Sequence, residues 1–412
     1  MKFVSTLALA ASLALGAGFA APAAAQDQQA QQAPARQDNL SEEGRKALIP
    51  LEQAVTAKDA AAYQAALPAA QAAAKTPDDR YVVAQLQLRR GIDANDAALQ
   101  LAALEAMAQS GGATAAELPT LYKNIGGLNA QEKRFDQAAA AYEKLAELQP
   151  ANTDPLIQLA RLRAHQKQNG QALSYLERAI AANKSAGTAV PEDWYRLGLT
   201  LAYEGKIPAK AASFSRSLVE SYPSPDAWHD AILFLRQTTA LDSEGKLDAL
   251  RLMRAAKALR SENAYVELAS ELERGHYYGE VQDVVREGTA SGLVKANAAA
   301  FAQVPRSAAA KSAEDKSALA GLEAKAGSDS TGVTAMRIAN GYFGHGDYAK
   351  PDELYRLAAQ KASIDAGLAN MRLGIALAMQ GKKAEADAAF KAVGGTRAEL
   401  AGLWSLWLSQ RS

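Results

Sequence analysis

The sequence predicts an all-α protein made of stacked helical hairpins. Three observations predict it. A worn phrase recurs at roughly 34-residue intervals, the period of an array of supersecondary units. From Leu40 onward Ala, Leu, Lys, Glu, Gln and Arg dominate, and these lose little conformational freedom in a helix. β-branched residues are sparse and do not alternate with polar ones, so no strand pattern competes.

The recurring phrase is clearest at Trp194-Tyr195-Arg196-Leu197-Gly198, with Phe214 sixteen residues after the glycine. Leu373, Gly374 and Phe390 repeat these offsets, as do Ile125, Gly126 and Tyr142, with Tyr122 before them and Ala138 and Pro150 in phase. Breaks are evenly spaced. Units are predicted to begin near Asp78, Pro119, Thr153, Pro191, Pro225, Glu262, Asn297, Gly332 and Gly367, with a degenerate pair from about Glu43. Turns midway through units are expected at Glu204-Gly205-Lys206, Gly275-His276, Gly346-Asp347 and Gln380-Gly381. Pro119, Pro155, Pro191 and Pro225 mark new helices, because a first turn has no partner for the missing N–H.

Taken in order, residues 1–25 read as a signal peptide. Lys2 precedes an apolar stretch from Phe3 to Phe19, and Ala23-Ala24-Ala25 supplies small residues for cleavage before Gln26. Export to the periplasm of a Gram-negative bacterium, or secretion, is therefore expected. Residues 26–39, rich in Gln and Ala, carry too little apolar surface to offset ordering and read as a disordered leader. Degenerate hairpins are expected over 40–118, regular repeats over 119–224, irregular ones over 225–331, and regular ones again over 332–399. Within the irregular stretch, the Pro225 unit suggests a long second helix through Leu259, and the Asn297 unit has almost no bulky residues. Leu400, Leu403, Trp404, Trp407 and Leu408 share one helical face, so 400–412 reads as a helix capping the stack.

The spaced residues resemble the tetratricopeptide repeat, whose pattern is W-x2-L-G-x2-Y, then A-x3-F, then P. Trp194, Leu197 and Gly198 match it, with Leu201 in place of the Tyr. Phe135, Ala138, Tyr142 and Pro150 match the second half, and Leu373, Gly374, Leu377, Gly381, Ala386 and Phe390 fit in the last unit. Pro351 stands where a small residue belongs. The resemblance implies a right-handed superhelical solenoid of antiparallel helix pairs. Small residues at the eighth and twentieth positions would let the two helices of a hairpin approach closely.

Function classes are narrowed by what is missing. There is no Cys, so no disulfide, thiolate nucleophile or lipid attachment site. Lys+Arg and Asp+Glu both number 45, without the basic excess that a nucleic-acid partner favours. The four His, at 165, 229, 276 and 345, lie in different units, so no metal site is expected, nor any other cofactor. No nucleophile elbow or phosphate loop occurs. The pairs Glu42-Glu43 and Asp78-Asp79 precede helical stretches, where acids complement the helix dipole.

The resemblance also implies a concave groove lined by the first helix of each hairpin. Carried over by repeat phase, its residues are Lys123, Gln131, Arg161, His165, Tyr195, Tyr203, His229, Arg236, Gln237, Arg274, Met336, Asn340, Phe343, Met371 and Met379. Lys123 matches one position of the carboxylate-gripping variant, but Gly127 and Gln158 break the rest. The expected function is a non-catalytic exported scaffold binding a protein or peptide. Self-assembly through the Trp404/Trp407 helix is the alternative, and an enzyme with a site in 225–331 is a third expectation.

Overall fold

The computed structural model describes residues 38–295, 304–326, 328, 331–361 and 363–411. The signal peptide, the leader up to residue 37 and the unit start at Asn297 lie outside the described residues. Among the described residues there are 20 α-helices and one 3-10 turn, and no strand. They form an all-α solenoid of consecutive helix pairs divided into two compact units, up to Ala186 and from Gly187 onward.

Unit one contains four hairpins. They are α1 (Glu42–Thr56) with α2 (Ala60–Ala73), α3 (Pro77–Asp93) with α4 (Ala97–Gln109), α5 (Leu118–Gln131) with α6 (Phe135–Leu148), and α7 (Asp154–His165) with α8 (Asn169–Ser185). The starts predicted near Glu43, Asp78, Pro119 and Thr153 each fall within one residue of a helix start. Local chemistry explains the agreement. Ser41, Asp59, Thr76 and Asp96 accept hydrogen bonds from backbone N–H groups of the first turns. Between the helices of each hairpin, Lys58, Asn95, Lys133 and Lys167 adopt φ of 54, 51, 58 and 59°. This left-handed residue closes the first helix: Lys133 N donates to Ala130 O at 3.1 Å and Arg134 N to Asn129 O at 2.8 Å.

Burial in unit one runs from neighbour to neighbour. Tyr81, Leu104, Met107 and Leu121 are buried in a cluster spanning α3, α4 and α5, with Ala141 of α6. A second cluster joins α1 and α2 to Val83 and Leu86 of α3. Asp79 ties the same elements together. It caps its own helix through Thr76, and its buried carboxylate accepts from Ser41 N at 2.9 Å and Ser41 Oγ at 2.8 Å. Burial opposes its charge, but the donated hydrogen bonds of Thr76 and Ser41 outweigh that and lower its pKa. Its role therefore extends beyond the helix dipole.

Unit two begins with α9 (Glu192–Glu204) and α10 (Pro208–Ser221), α11 (Pro225–Thr238) and α12 (Ser243–Ala255), and α13 (Glu262–Arg274) and α14 (Tyr278–Ala290). Among the described residues, α15 (Val304–Ala326) follows. Next come α16 (Val333–Gly344) with α17 (Lys350–Ala359), α18 (Ala366–Met379) with α19 (Lys383–Lys391), and α20 (Ala398–Ser409). The long second helix expected through Leu259 is not formed. α12 stops at Ala255 because Lys257, at φ 57°, turns the chain, and Ala258 N donates back to Met253 O at 2.7 Å.

Two helices of unit two are enclosed rather than amphipathic. Every residue of α12 from Leu247 to Met253 is buried, and every residue of α18 from Met371 to Ala378. A surface helix buries one stripe, so burial all round places other elements on several sides. Both runs include charged residues: Asp248 and Arg251 in α12, Arg372 in α18.

Candidate partner-binding surface

In unit one, the first-helix residues picked out by repeat phase lie on the surface. Lys123 and Gln131 of α5 and Arg161 and His165 of α7 are exposed. The His165 imidazole lies parallel to the Phe135 ring, with centroids 6.1 Å apart and 4° between planes. The stack lies at the turn end of α7.

In unit two, the row divides. Tyr203 is 66% exposed, and Gln237 and Arg274 are exposed. Arg274 pairs with Glu271 at 2.6 Å, Arg236 pairs with Glu267 of α13, and Met379 stands at the surface. His229 is half-buried, with Nδ1 3.0 Å from Ala258 O; the carbonyl only accepts, so the imidazole N–H donates. The other positions do not form an open groove. Tyr195, Met336, Phe343 and Met371 are buried. Asn340 is turned into the interior, where its Oδ1 accepts from Tyr355 Oη at 2.8 Å. For α16 and α18 the reason is occupancy. The sides that repeat phase assigns to a groove are covered by α12 of the same unit: the Arg251 guanidinium lies 4.8 Å from the Phe343 ring centre, and Arg372, next to Met371, bonds Asp248.

The hairpins are held by one contact repeated in phase. Gly198 lies directly under the Phe214 ring, with no room for a side chain. A Cβ on Gly374 would stand 2.5 Å from Phe390, and one on Gly126 would stand 2.8 Å from Tyr142. Three hairpins thus use a glycine in the first helix to admit an aromatic ring sixteen residues later. In this contact the hairpins resemble those of the tetratricopeptide repeat. No family model matches the chain, and no curated protein matches it. Among solved structures it is similar to a tetratricopeptide repeat protein from Parabacteroides merdae, at 13% identity and a TM-score of 0.30, over 80% of this chain and 99% of that one. It is also similar to the TPR2AB domain of yeast Sti1, solved in complex with pHSP90, at 13% identity and a TM-score of 0.25, over 72% and 100% of the two chains. The P58(IPK) TPR domain gives 15% identity and a TM-score of 0.25, over 81% and 99%. The contacts within the hairpins, not these likenesses, carry the resemblance.

The hairpins of unit two are joined by a buried ionic network. Arg372 Nε is 2.8 Å from Asp248 Oδ1, and its other nitrogens bond Glu244 and Tyr277. Arg251 Nη1 donates to Asp248 Oδ1 at 2.9 Å and Arg251 Nε to Glu280 Oε1 at 3.1 Å. The Tyr277 ring packs against both guanidiniums, with centroid distances of 4.4 and 5.3 Å. Two buried cations therefore face two buried anions, with Glu244 at the rim. Burial opposes the charge on both arginines, yet Glu280 raises the pKa of Arg251, and Asp248 that of Arg372. No side-chain polar atom of Arg251, Arg372, Asp248 or Glu280 lacks a partner. The buried ionisable groups of this network thus pair with one another.

Sequence reasoning missed this network, although it left one trace. Arg372 is the lone charge in the run from Ala366 to Gly381, and every residue from Leu373 to Met379 is apolar or glycine. A charge at such a position demands a buried partner. That partner lies 124 residues away, beyond the reach of a repeat phase that relates only neighbours. Three further residues are drawn into the unit. Trp404 and Trp407 are buried within the unit, so this helix does not present them for pairing between ends. His345 is half-buried, with Nδ1 3.3 Å from Ser312 Oγ. Among the described residues no group of three His, Asp or Glu is placed to hold a metal ion, and no helix is long and apolar enough to cross a membrane.

Proposed function

We propose that the chain is a non-catalytic scaffold that binds a protein or peptide along the exposed first helices of its hairpins. Tyr203 carries this reading. It stands 66% exposed on α9. Exposed aromatic rings supply contact area at low entropic cost and are enriched where partners dock. Gln237 of α11 follows in the same unit, and unit one offers Lys123, Arg161 and His165 on successive first helices. Within unit one, these exposed cations suit an extended peptide or a helix with carboxylates.

The test is a photo-cross-linking residue placed at Tyr203 or Lys123, with exposed Ser213 on second helix α10 as control. The reading expects one defined partner at the first-helix positions and none at Ser213. Equal labelling at all three, or none anywhere, contradicts it.

The same proposal places the scaffold in the periplasm of a Gram-negative bacterium, or outside the cell. Lys2, the apolar stretch from Phe3 to Phe19 and Ala23-Ala24-Ala25 support export. Sequencing the N-terminus of the protein recovered from envelope fractions should find Gln26 first. Recovery of uncleaved chain from the cytosol contradicts export.

A further inference from the structure

The second helices of unit two carry a helix that is joined to them late in the chain. α20 lies against α10 and α12. Trp404 Nε1 donates to the backbone O of Asp248 at 3.3 Å, and Gln410 Nε2 to that of Val219 at 2.8 Å. Arg397, at the entry to α20, bridges Asp242 and Asp365, the latter at 2.5 Å. Gly402 lets the helix sit close to Arg216, whose Nη1 would be 3.0 Å from any Cβ there. Beneath it, Trp404 stacks on Phe390 at 6.1 Å and meets Trp407 edge-on at 5.4 Å.

The contacts to Asp242, Asp248 and Val219 reach residues 155 to 191 positions earlier, while Phe390 and Asp365 belong to the hairpin just before α20. The covalent connection is one short turn containing Gly394 and Gly395, the latter at φ 65°. Residues of α10 and α12, distant in the chain, therefore hold α20 together with its neighbour α19.

We propose that the second-helix face of unit two is a helix-binding surface whose resident occupant is the segment Thr396–Arg411, and that it accepts the same segment supplied in trans. The fitting ligand is an amphipathic helix with a Leu/Trp face, a glycine over Arg216, and an arginine at its start for Asp242 and Asp365. This surface is separate from the first-helix face of the proposed function and does not depend on it. While tethered, α20 competes at an effective concentration on the order of mM, which keeps the surface filled.

A protease site inserted between Gly394 and Gly395 of the full chain tests this, with a fluorescent synthetic peptide of residues 396–411 as probe. The cut protein should exchange its helix for the probe, whereas the uncut protein should bind it about 100-fold more weakly. A probe carrying Trp404→Ala and Trp407→Ala should not exchange. As a variant that needs no cut, Arg397→Ala/Gln410→Ala in the uncut chain should bind the probe about tenfold better than the parent. A dimer formed by exchange of α20 between copies supports the proposal, because the segment is then bound in trans. Failure of the cut protein to exchange, equal binding by cut and uncut protein, or no gain in the double variant overturns it.

Discussion

Replacing Arg372 by Met should destabilise unit two by about 3–5 kcal/mol, the usual cost of removing one partner from a buried ion pair. Arg372 and Asp248 are both fully buried, at 0% exposure, so no solvent screening reduces the effect. Met keeps most of the aliphatic volume, which limits the cavity contribution. After the change, two buried carboxylates, Asp248 and Glu280, share one guanidinium, Arg251. The charge balance supplies a sharper test. Adding Asp248→Leu to Arg372→Met leaves Arg251 facing Glu280 alone, one cation to one anion. The double variant should therefore recover at least about 2 kcal/mol relative to Arg372→Met, because a balanced apolar replacement is often neutral. Urea unfolding followed by tryptophan fluorescence reads this unit selectively, since Trp194, Trp228, Trp404 and Trp407 all lie after Gly187. A loss below about 1 kcal/mol for Arg372→Met, or a double variant as unstable as the sum of the singles, refutes the reasoning.

Other outcomes follow from single contacts. Gly198→Ala drives a methyl into the Phe214 ring and should cost about 1–3 kcal/mol by the same fluorescence measurement. Asp79→Ala leaves the N–H and Oγ of Ser41 and the N–H of Thr76 without their acceptor, so chemical denaturation followed by circular dichroism should show a loss of about 2–4 kcal/mol in unit one. Tyr203→Ala should change stability by less than about 0.5 kcal/mol while removing the cross-linked partner. Arg397 lowers the pKa of Asp365 through its hydrogen bond, so the stabilisation is complete above the unfolded value of about 3.9 and is lost as pH falls through the lowered folded one. Trp407 emission should therefore shift below about pH 4 in the parent and lose that step in Asp365→Asn.

Much of the fold was legible because hairpins are specified locally. Proline at a first turn, a side-chain cap such as Thr76 or Asp96 and a left-handed residue two places after a helix each act within a few residues. Repeat phase located those starts to within a residue, and it found the glycine–aromatic pairs because their offset is fixed by hairpin geometry. Legibility ended where distant elements meet. Phase says which side of α16 and α18 would face a groove, but not that α12 already fills it, so Phe343 and Met371 were read as surface and are buried. α12 was read too long for a similar reason: Ala255 to Leu259 carries helix-forming residues, and only the left-handed Lys257 stops it. Tyr203 and Gln237 are exposed where phase put them, although Tyr195 on the same helix as Tyr203 is buried.

The central claim is that unit two closes, bringing its last helix back onto α10–α12. The absence of native cysteine allows spin labels at Thr238→Cys and Ala398→Cys, both exposed positions, and pulsed electron resonance gives their separation. Thr239 Oγ1 donates to Glu399 Oε2 at 3.3 Å, so a short, narrow distance distribution is predicted. Helices packed side by side at about 8–10 Å in an open run from α11 to α20 would instead hold the labels about 40 Å apart or more, and that result would contradict closure.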